Sequence, residues 1–162
     1  MSDTPIQIAL YQPEIAQNAG SVARTCAVLG ARLHLIRPLG FLLGGAGVRR
    51  AGMDYLDSVD VRVHESFGAF MATAGSEARV FATSARGREL YSAAIFRRGD
   101  VLLFGPESVG LPEELLRGYP SVRLPMPGGG RSLNLAVSVG IMAFEAMRQV
   151  TNGWTDGLLG EG

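Results

Sequence analysis

Short apolar runs recur along the chain between longer stretches of mixed character, and their spacing sets the expected fold. Residues 6–11, IQIALY, read as a buried strand that Pro13 ends. Asn18 then offers an N-cap to a helix running through 23–29 and closed at Gly30. Residues 33–36 form a second strand, 59–63 alternate as a third, and Ser66 can cap a helix over 67–74. Three more strands are expected at 79–82, 101–104 and 122–124. The longest helix is the last, 135–149, where Leu135, Val139, Met142 and Phe144, with Val150 beyond them, spread apolar side chains around more than one face. A helix so apolar needs two burial surfaces, and a dimer contact is the natural second one.

Strands separated by helical patterns, several of them apolar throughout, imply an α/β fold: a mostly parallel six-stranded sheet flanked by helices. Residues 40–47 are too rich in glycine for a regular element, and 48–53 read as a helical turn carrying Arg49 and Arg50. No repeat or linker interrupts the pattern, so a single domain is expected over 1–152. A flexible C-terminal tail, 153–162, is expected to follow, with Trp154 as its candidate for docking.

Composition narrows the class. At 162 residues, 47% hydrophobic and 19% charged, the chain can bury a core without a metal or disulfide staple. The lone Cys26 cannot make an internal disulfide, and with His34 and His64 it cannot assemble a usual zinc set, so no metal is expected. No apolar run approaches the ~18 residues of a membrane span, and MSDTPIQ lacks the basic start of a signal peptide. A cytoplasmic location with no membrane partner follows as the expectation. Fifteen basic residues balance fifteen acidic ones, which argues against a broad positive face. Every basic residue is an arginine, so any phosphate contact is a planar guanidinium fork supplied by a local cluster.

Three segments carry the candidate chemistry. NAGSVARTC, at 18–26, sets Asn18 and Arg24 within two turns of one helix. LLFGPESVGLP, at 102–112, puts Gly105-Pro106-Glu107 directly after an apolar strand, at the carboxyl end where open parallel sheets bind ligands. Gly105 permits close approach of backbone to a ligand, and Pro106 fixes the turn that presents Glu107. LPMPGGGRSLNL, at 124–135, runs through Gly128-Gly129-Gly130 and Arg131-Ser132 into the last helix, which Asn134 can cap while still facing a substrate. Three ordered glycines are costly, which suggests a loop that closes on something. Each segment alone also reads as an ordinary turn, hinge or cap; their joint presence is what points to a site.

These three motifs, in this order, resemble those of the SPOUT methyltransferases, knotted enzymes that methylate RNA with S-adenosyl-L-methionine. IALYQPEIAQNAGSVART, RRAGMDYLD and SLNLAVSVGIMAFEAMRQ look most like the small bacterial group that methylates the ribose 2′-hydroxyl of the wobble nucleotide, C34 or U34, of tRNA. The resemblance spans roughly residues 6–150. It implies a C-terminal trefoil knot, a homodimer and an anticodon stem-loop as substrate. It implies cofactor contacts from Thr83, Gly105, Leu124, Met126, Ser132 and Leu133. The transfer centre it implies contains Asn18, Arg24, Glu107, Ser132 and Asn134, and Arg24 would hold the phosphate beside the target ribose. A guanidinium does not readily give up its proton, so positioning is the role expected of Arg24 before any part in deprotonation. Arg24, Arg49, Arg50 and Arg131 are the expected phosphate contacts, with Tyr55 stacking on an exposed base. The chain departs from the family pattern in three places: Gly128-Gly129-Gly130 replaces side chains in the loop, Thr83 stands where many members have an aliphatic residue, and Leu56 replaces a histidine common after the Asp-Tyr pair.

Other chemistries fit less well. Ala136-Val137-Ser138-Val139-Gly140 has the spacing of a hydrolase nucleophile elbow, but its serine falls inside the last helix rather than between strand and helix. His34 and His64 lie in or at the ends of apolar strands, where a structural role is expected. The glycine loop lacks the lysine of a P-loop, and Gly45-Ala46-Gly47 follows no clear first strand. The remaining alternatives are 2′-O-methylation of another tRNA or rRNA nucleotide, and an inactive RNA-binding module.

Overall fold

Alternation along the strands divides the protein into two layers of helices over one sheet. The computed structural model describes residues 4–44, 57–74, 76 and 78–155. Its strands are β1 (Gln7–Tyr11), β2 (Arg32–Ile36), β3 (Val61–His64), β4 (Val80–Thr83), β5 (Glu89–Leu90), β6 (Val101–Phe104) and β7 (Ser121–Arg123). They form one seven-stranded sheet in the order β3-β2-β1-β6-β4-β7-β5, and every pairing is parallel. The sheet thus has one strand more than the six expected. The added strand, β5, is two residues long and half-exposed, too short to leave a period in the sequence.

The four helices among the described residues were not all foreseen either. The described helices are α1 (Ala16–Leu29), α2 (Phe67–Thr73), α3 (Glu113–Gly118) and α4 (Leu135–Val150). Ile8 and Leu10 of β1, Leu33 and Leu35 of β2, and Leu102 and Phe104 of β6 point into the layer formed with α1 and α4. Their neighbours Ala9, Ile36, Val101 and Leu103 point the other way, where Phe70 of α2 and Leu111 close a second, smaller core. Both faces of the central strands are therefore buried, which is why those strands read as continuous apolar runs.

Helix α1 begins earlier than the pattern suggested. Its N-cap is Ile15, which makes no side-chain cap bond, and Asn18 lies inside the first turn, buried. Gly30 ends the helix in the left-handed conformation, φ 66°, as its position predicted. Ser66 caps α2 by accepting a hydrogen bond from the Ala69 amide at 3.0 Å. Helix α3 was missed because six residues, EELLRG, carry too little periodicity to register. The tail is described through Thr155, and there Trp154 packs against Phe144 with ring centroids 5.8 Å apart.

Candidate active site

The sheet order reverses direction between β1 and β6, and the loops at the carboxyl ends of β4, β6 and β7 gather there. Parallel α/β sheets bind ligands at such a place because the loops diverge and leave a crevice. Here they enclose a cavity of about 480 Å³. Its wall includes Thr83, Gly105, Glu107, Leu124, Met126, Arg131, Ser132, Leu133 and Asn134, so most of the site residues expected from the sequence converge. A volume of this size suits a nucleoside-sized ligand.

The loop after β6 is shaped by its own chain. A Cβ on Gly105 would run into the backbone of Gly110 and Leu111, which fold back over it. The close approach that requires glycine at 105 is thus internal to the loop, not only an approach to a ligand. Gly110 adopts φ 69° and donates its amide to the Pro106 carbonyl at 2.9 Å, completing the turn. In the loop after β7, Gly129 and Gly130 take φ 84° and 112°, conformations that side-chain-bearing residues rarely adopt. This explains two of the three successive glycines; Gly128 has no such constraint in its φ or its surroundings.

Glu107 takes part in a reciprocal clasp that sequence reasoning did not find. Its carboxylate accepts from the Glu14 amide at 3.0 Å, while the Glu14 carboxylate accepts from the Ser108 amide at 2.9 Å and the Ser108 hydroxyl at 2.6 Å. The β1–α1 turn and the β6 loop are tied to each other by both carboxylates. Loss of hydration in the half-buried loop raises the Glu107 pKa from its ordinary value, against the pull of the Glu14 and Ile15 amides, and the Glu14 charge adds to the rise. Glu14 shifts the other way, lowered by its hydrogen bonds from Ser108. The signal for the clasp was present in the sequence only as Glu14 following the end of one strand and Ser108 the end of another. Nothing in the sequence says that β1 and β6 are neighbours.

Asn134 joins the last helix to the first. Its side-chain oxygen accepts from the Ala136 amide at 2.9 Å and the Val137 amide at 3.3 Å, capping α4 as expected. Its amide nitrogen donates to Asn18 Oδ1 at 3.1 Å. Asn18 is therefore a buried partner of the second cap rather than a cap itself. Thr83 is also committed: its hydroxyl donates to the Leu103 carbonyl at 3.0 Å, so the side-chain oxygen serves the sheet where Thr83 borders the cavity.

Arg24 does not join this constellation within one chain. It is exposed on α1 and absent from the cavity wall, six residues from the buried Asn18 and on a different helical face. Ser132, Leu133 and Arg131 are exposed at the rim of the cavity. Arg49, Arg50, Tyr55 and Leu56 lie outside the described residues. Ser138 and Met142, on the inner face of α4, also line the cavity and were not foreseen in that role. Among the described residues no cluster of three or more His, Cys, Asp or Glu side chains is arranged to hold a metal, and no helix is long and apolar enough to cross a membrane. Burial pushes the Cys26 thiol up to about 12, which makes it a packing residue rather than a nucleophile.

A parallel α/β sheet with a nucleoside-sized cavity at its reversal point defines the class, and comparison with known proteins defines the family. The chain belongs to the SpoU rRNA methylase family, whose model matches residues 5–144. A tRNA (cytidine(34)-2′-O)-methyltransferase of Burkholderia ambifaria is 48% identical over 146 residues, covering 88% of this chain and 94% of that protein. A solved structure described as giving insight into 2-OH methylation of C/U34 on tRNA superposes with a TM-score of 0.87 at 60% identity, covering 91% of this chain and 97% of the other. An rRNA methyltransferase from Sinorhizobium meliloti, solved with AdoMet bound, matches with a TM-score of 0.81 at 29% identity, covering 91% of this chain and 57% of its own.

Proposed function

We propose that the protein transfers a methyl group from S-adenosyl-L-methionine to the ribose 2′-hydroxyl of nucleotide 34 of tRNA, acting as a cytoplasmic homodimer. The observation that carries this reading is the convergence of Gly105, Glu107, Leu124, Met126, Ser132, Leu133 and Asn134 on one cavity. The residues fit the cofactor: the cavity has the volume, apolar side chains from Leu124, Met126 and Leu133 can flank an adenine, and the backbone of the β6 and β7 loops is open to polar contacts. When bound, S-adenosyl-L-methionine supplies an activated methyl group on a sulfonium.

The chain's own residues then have defined tasks. Leu124, Met126 and Leu133 hold the adenosine, with Thr83 and Gly105 shaping the floor. Glu107 fixes the β6 loop through its bond to the β1–α1 turn, and Asn134 fixes the start of α4 while aligning Asn18. Ser132, at the rim, contacts the reacting groups. Arg24 holds the phosphate beside the target ribose and orients its 2′-oxygen, the alignment on which the rate depends. Arg49, Arg50 and Arg131 take other phosphates, and Tyr55 stacks on a base. The trefoil knot belongs to the same reading, as the arrangement that packs the β4, β6 and β7 loops together.

The exposed position of Arg24 makes the homodimer part of the mechanism. Val137, Ile141 and Phe144 form a stripe along the outer side of α4 and are 49%, 37% and 45% exposed. They recur at the spacing of one helical face, and Leu133 precedes them. Helix α4 packs against α1, which carries Arg24 and the exposed Val28. A second copy covering this stripe buries apolar surface that water otherwise wets, and brings its Arg24 toward the rim of the first copy's cavity.

The test is methyl transfer from labelled S-adenosyl-L-methionine to tRNA lacking the modification, followed by mapping of the methylated ribose. Label at position 34 is expected from the wild type. Arg24→Ala is expected to abolish transfer with cofactor affinity nearly unchanged. Label at another nucleotide would replace the substrate assignment, and RNA binding without label would make the protein a binding module.

A further inference from the structure

Beside the cofactor cavity lies a second depression of about 200 Å³, lined by Arg86, Arg88, Arg117, Glu113, Leu116 and Ser121. Arg86 and Leu116 border both, so the two are contiguous. Three guanidiniums surround one carboxylate here, in a chain with no net charge.

The loop that carries Arg86 and Arg88 is tightly built. The Arg86 amide donates to Ser84 Oγ at 3.1 Å and the Gly87 amide to the Ser84 carbonyl at 3.1 Å. The Arg88 amide donates to Ser121 Oγ at 3.0 Å, and Arg123 Nη1 to the Gly87 carbonyl at 2.8 Å. A Cβ on Gly87 would meet the backbone of Val122 and Arg123, so the loop lies flush against β7. Arg88 Nη2 also donates to the Leu116 carbonyl at 3.2 Å, one of the free carbonyls at the end of α3. Two arginines are thus fixed from one side of the depression, and Arg117 faces them from the other.

Their charge is not used up internally. Glu113 pairs with Arg86 at 2.7 Å and with Arg117 at 4.0 Å, but these two arginine side chains are 76% and 80% exposed. Ion pairs this exposed contribute little stability, so an incoming phosphate displaces them readily. We propose that Arg86, Arg88 and Arg117 form a binding site for the phosphodiester backbone of the RNA substrate, holding the strand next to the methyl-transfer cavity, and that Glu113 moderates its affinity. The proposal rests on RNA being the substrate. Planar forks from both sides of the depression match phosphate oxygens, which carry no sequence information.

The experiment measures binding of a fluorescent anticodon stem-loop RNA over a range of salt, for wild type, Arg117→Gln, Arg117→Lys and Glu113→Gln. Arg117→Gln is expected to bind several-fold more weakly with a salt slope shallower by about one. Arg117→Lys is expected to recover most of both. Glu113→Gln is expected to bind more tightly, an outcome that misfolding does not produce. Wild-type slope and affinity in both Arg117→Gln and Glu113→Gln would overturn the proposal. Methyl transfer by the wild type is scored separately. Transfer with unaltered slopes removes this surface alone, and altered slopes without transfer keep the surface while removing the enzymatic reading.

Discussion

His34 is fully buried in β2 and hydrogen-bonded through both ring nitrogens, Nε2 to Gln7 Oε1 at 2.8 Å and Nδ1 to His64 Nε2 at 2.9 Å. The proton positions follow from the chain of partners. Gln7 Nε2 donates to the Gly99 carbonyl, so Gln7 Oε1 must accept from His34 Nε2, and His34 Nδ1 must accept from His64 Nε2. Protonating His34 would set one N–H against another in a dry core packed by Phe70. Burial therefore lowers the His34 pKa to about 3, with the proximity of His64 adding to it, and burial lowers His64 as well. The sign of the linkage follows: below about pH 6.5 the unfolded chain binds protons that the folded chain refuses, so stability is full above that pH and falls as pH drops toward 3. The loss approaches ~1.4 kcal/mol per pH unit for His34. Urea unfolding at pH 7 and pH 5 should give the lower stability at pH 5. Nitrogen chemical shifts should keep the folded His34 ring neutral at both, and a ring that titrates near 6.5 would contradict the network.

Asn134 acts at the scale of elements, because one side chain both starts α4 and reaches α1. Its two functions separate by substitution. Asn134→Asp keeps the oxygen that caps α4 but has no donor for Asn18 Oδ1, whereas Asn134→Ala loses both. Thermal unfolding should place Asn134→Asp near wild type and Asn134→Ala lower by ~1 kcal/mol, with single-turnover methyl transfer slowed in both. Equal stability of the alanine variant and wild type would mean that the cap is dispensable. This cap was legible in the sequence, as were the central strands and Gly30, because each depends on a few neighbouring residues. The start of α1 was not: its first turn lacks a side-chain cap, and Asn18, the residue type that usually marks a helix start, is instead bonded 116 residues away. The Glu14–Ser108 clasp and the place of Thr83 depend on which strands are neighbours, and the order β1-β6-β4-β7 is a property of the whole chain. Glycine at 105 was legible, but its reason, the return of Gly110 and Leu111, was not.

At the scale of the molecule, the proposed reaction draws on two different surfaces, the cavity and the face that carries Arg24. The cavity opens at the carboxyl edge of the sheet, while Arg24 lies exposed on α1 in the layer that α1 and α4 share. If a second copy supplies Arg24, each chain of the dimer gives its cavity to one site and its arginine to the other, as two-fold symmetry requires. Two inactive variants should then repair each other. Arg24→Ala retains a sound cavity, and Gly105→Val, whose side chain would displace the loop returning at Gly110–Leu111, retains a sound arginine. Mixed and allowed to exchange, they form heterodimers with one site lacking both functions and one site intact, so methyl transfer should recover to roughly a quarter of wild type. Placing Ile141→Asp in both chains buries a charge in the proposed contact and should abolish the recovery, with sedimentation reporting monomers. Mixtures that stay inactive while sedimenting as exchanged dimers would assign Arg24 to the cavity of its own chain. Recovery that survives Ile141→Asp would move the dimer contact away from the α4 stripe.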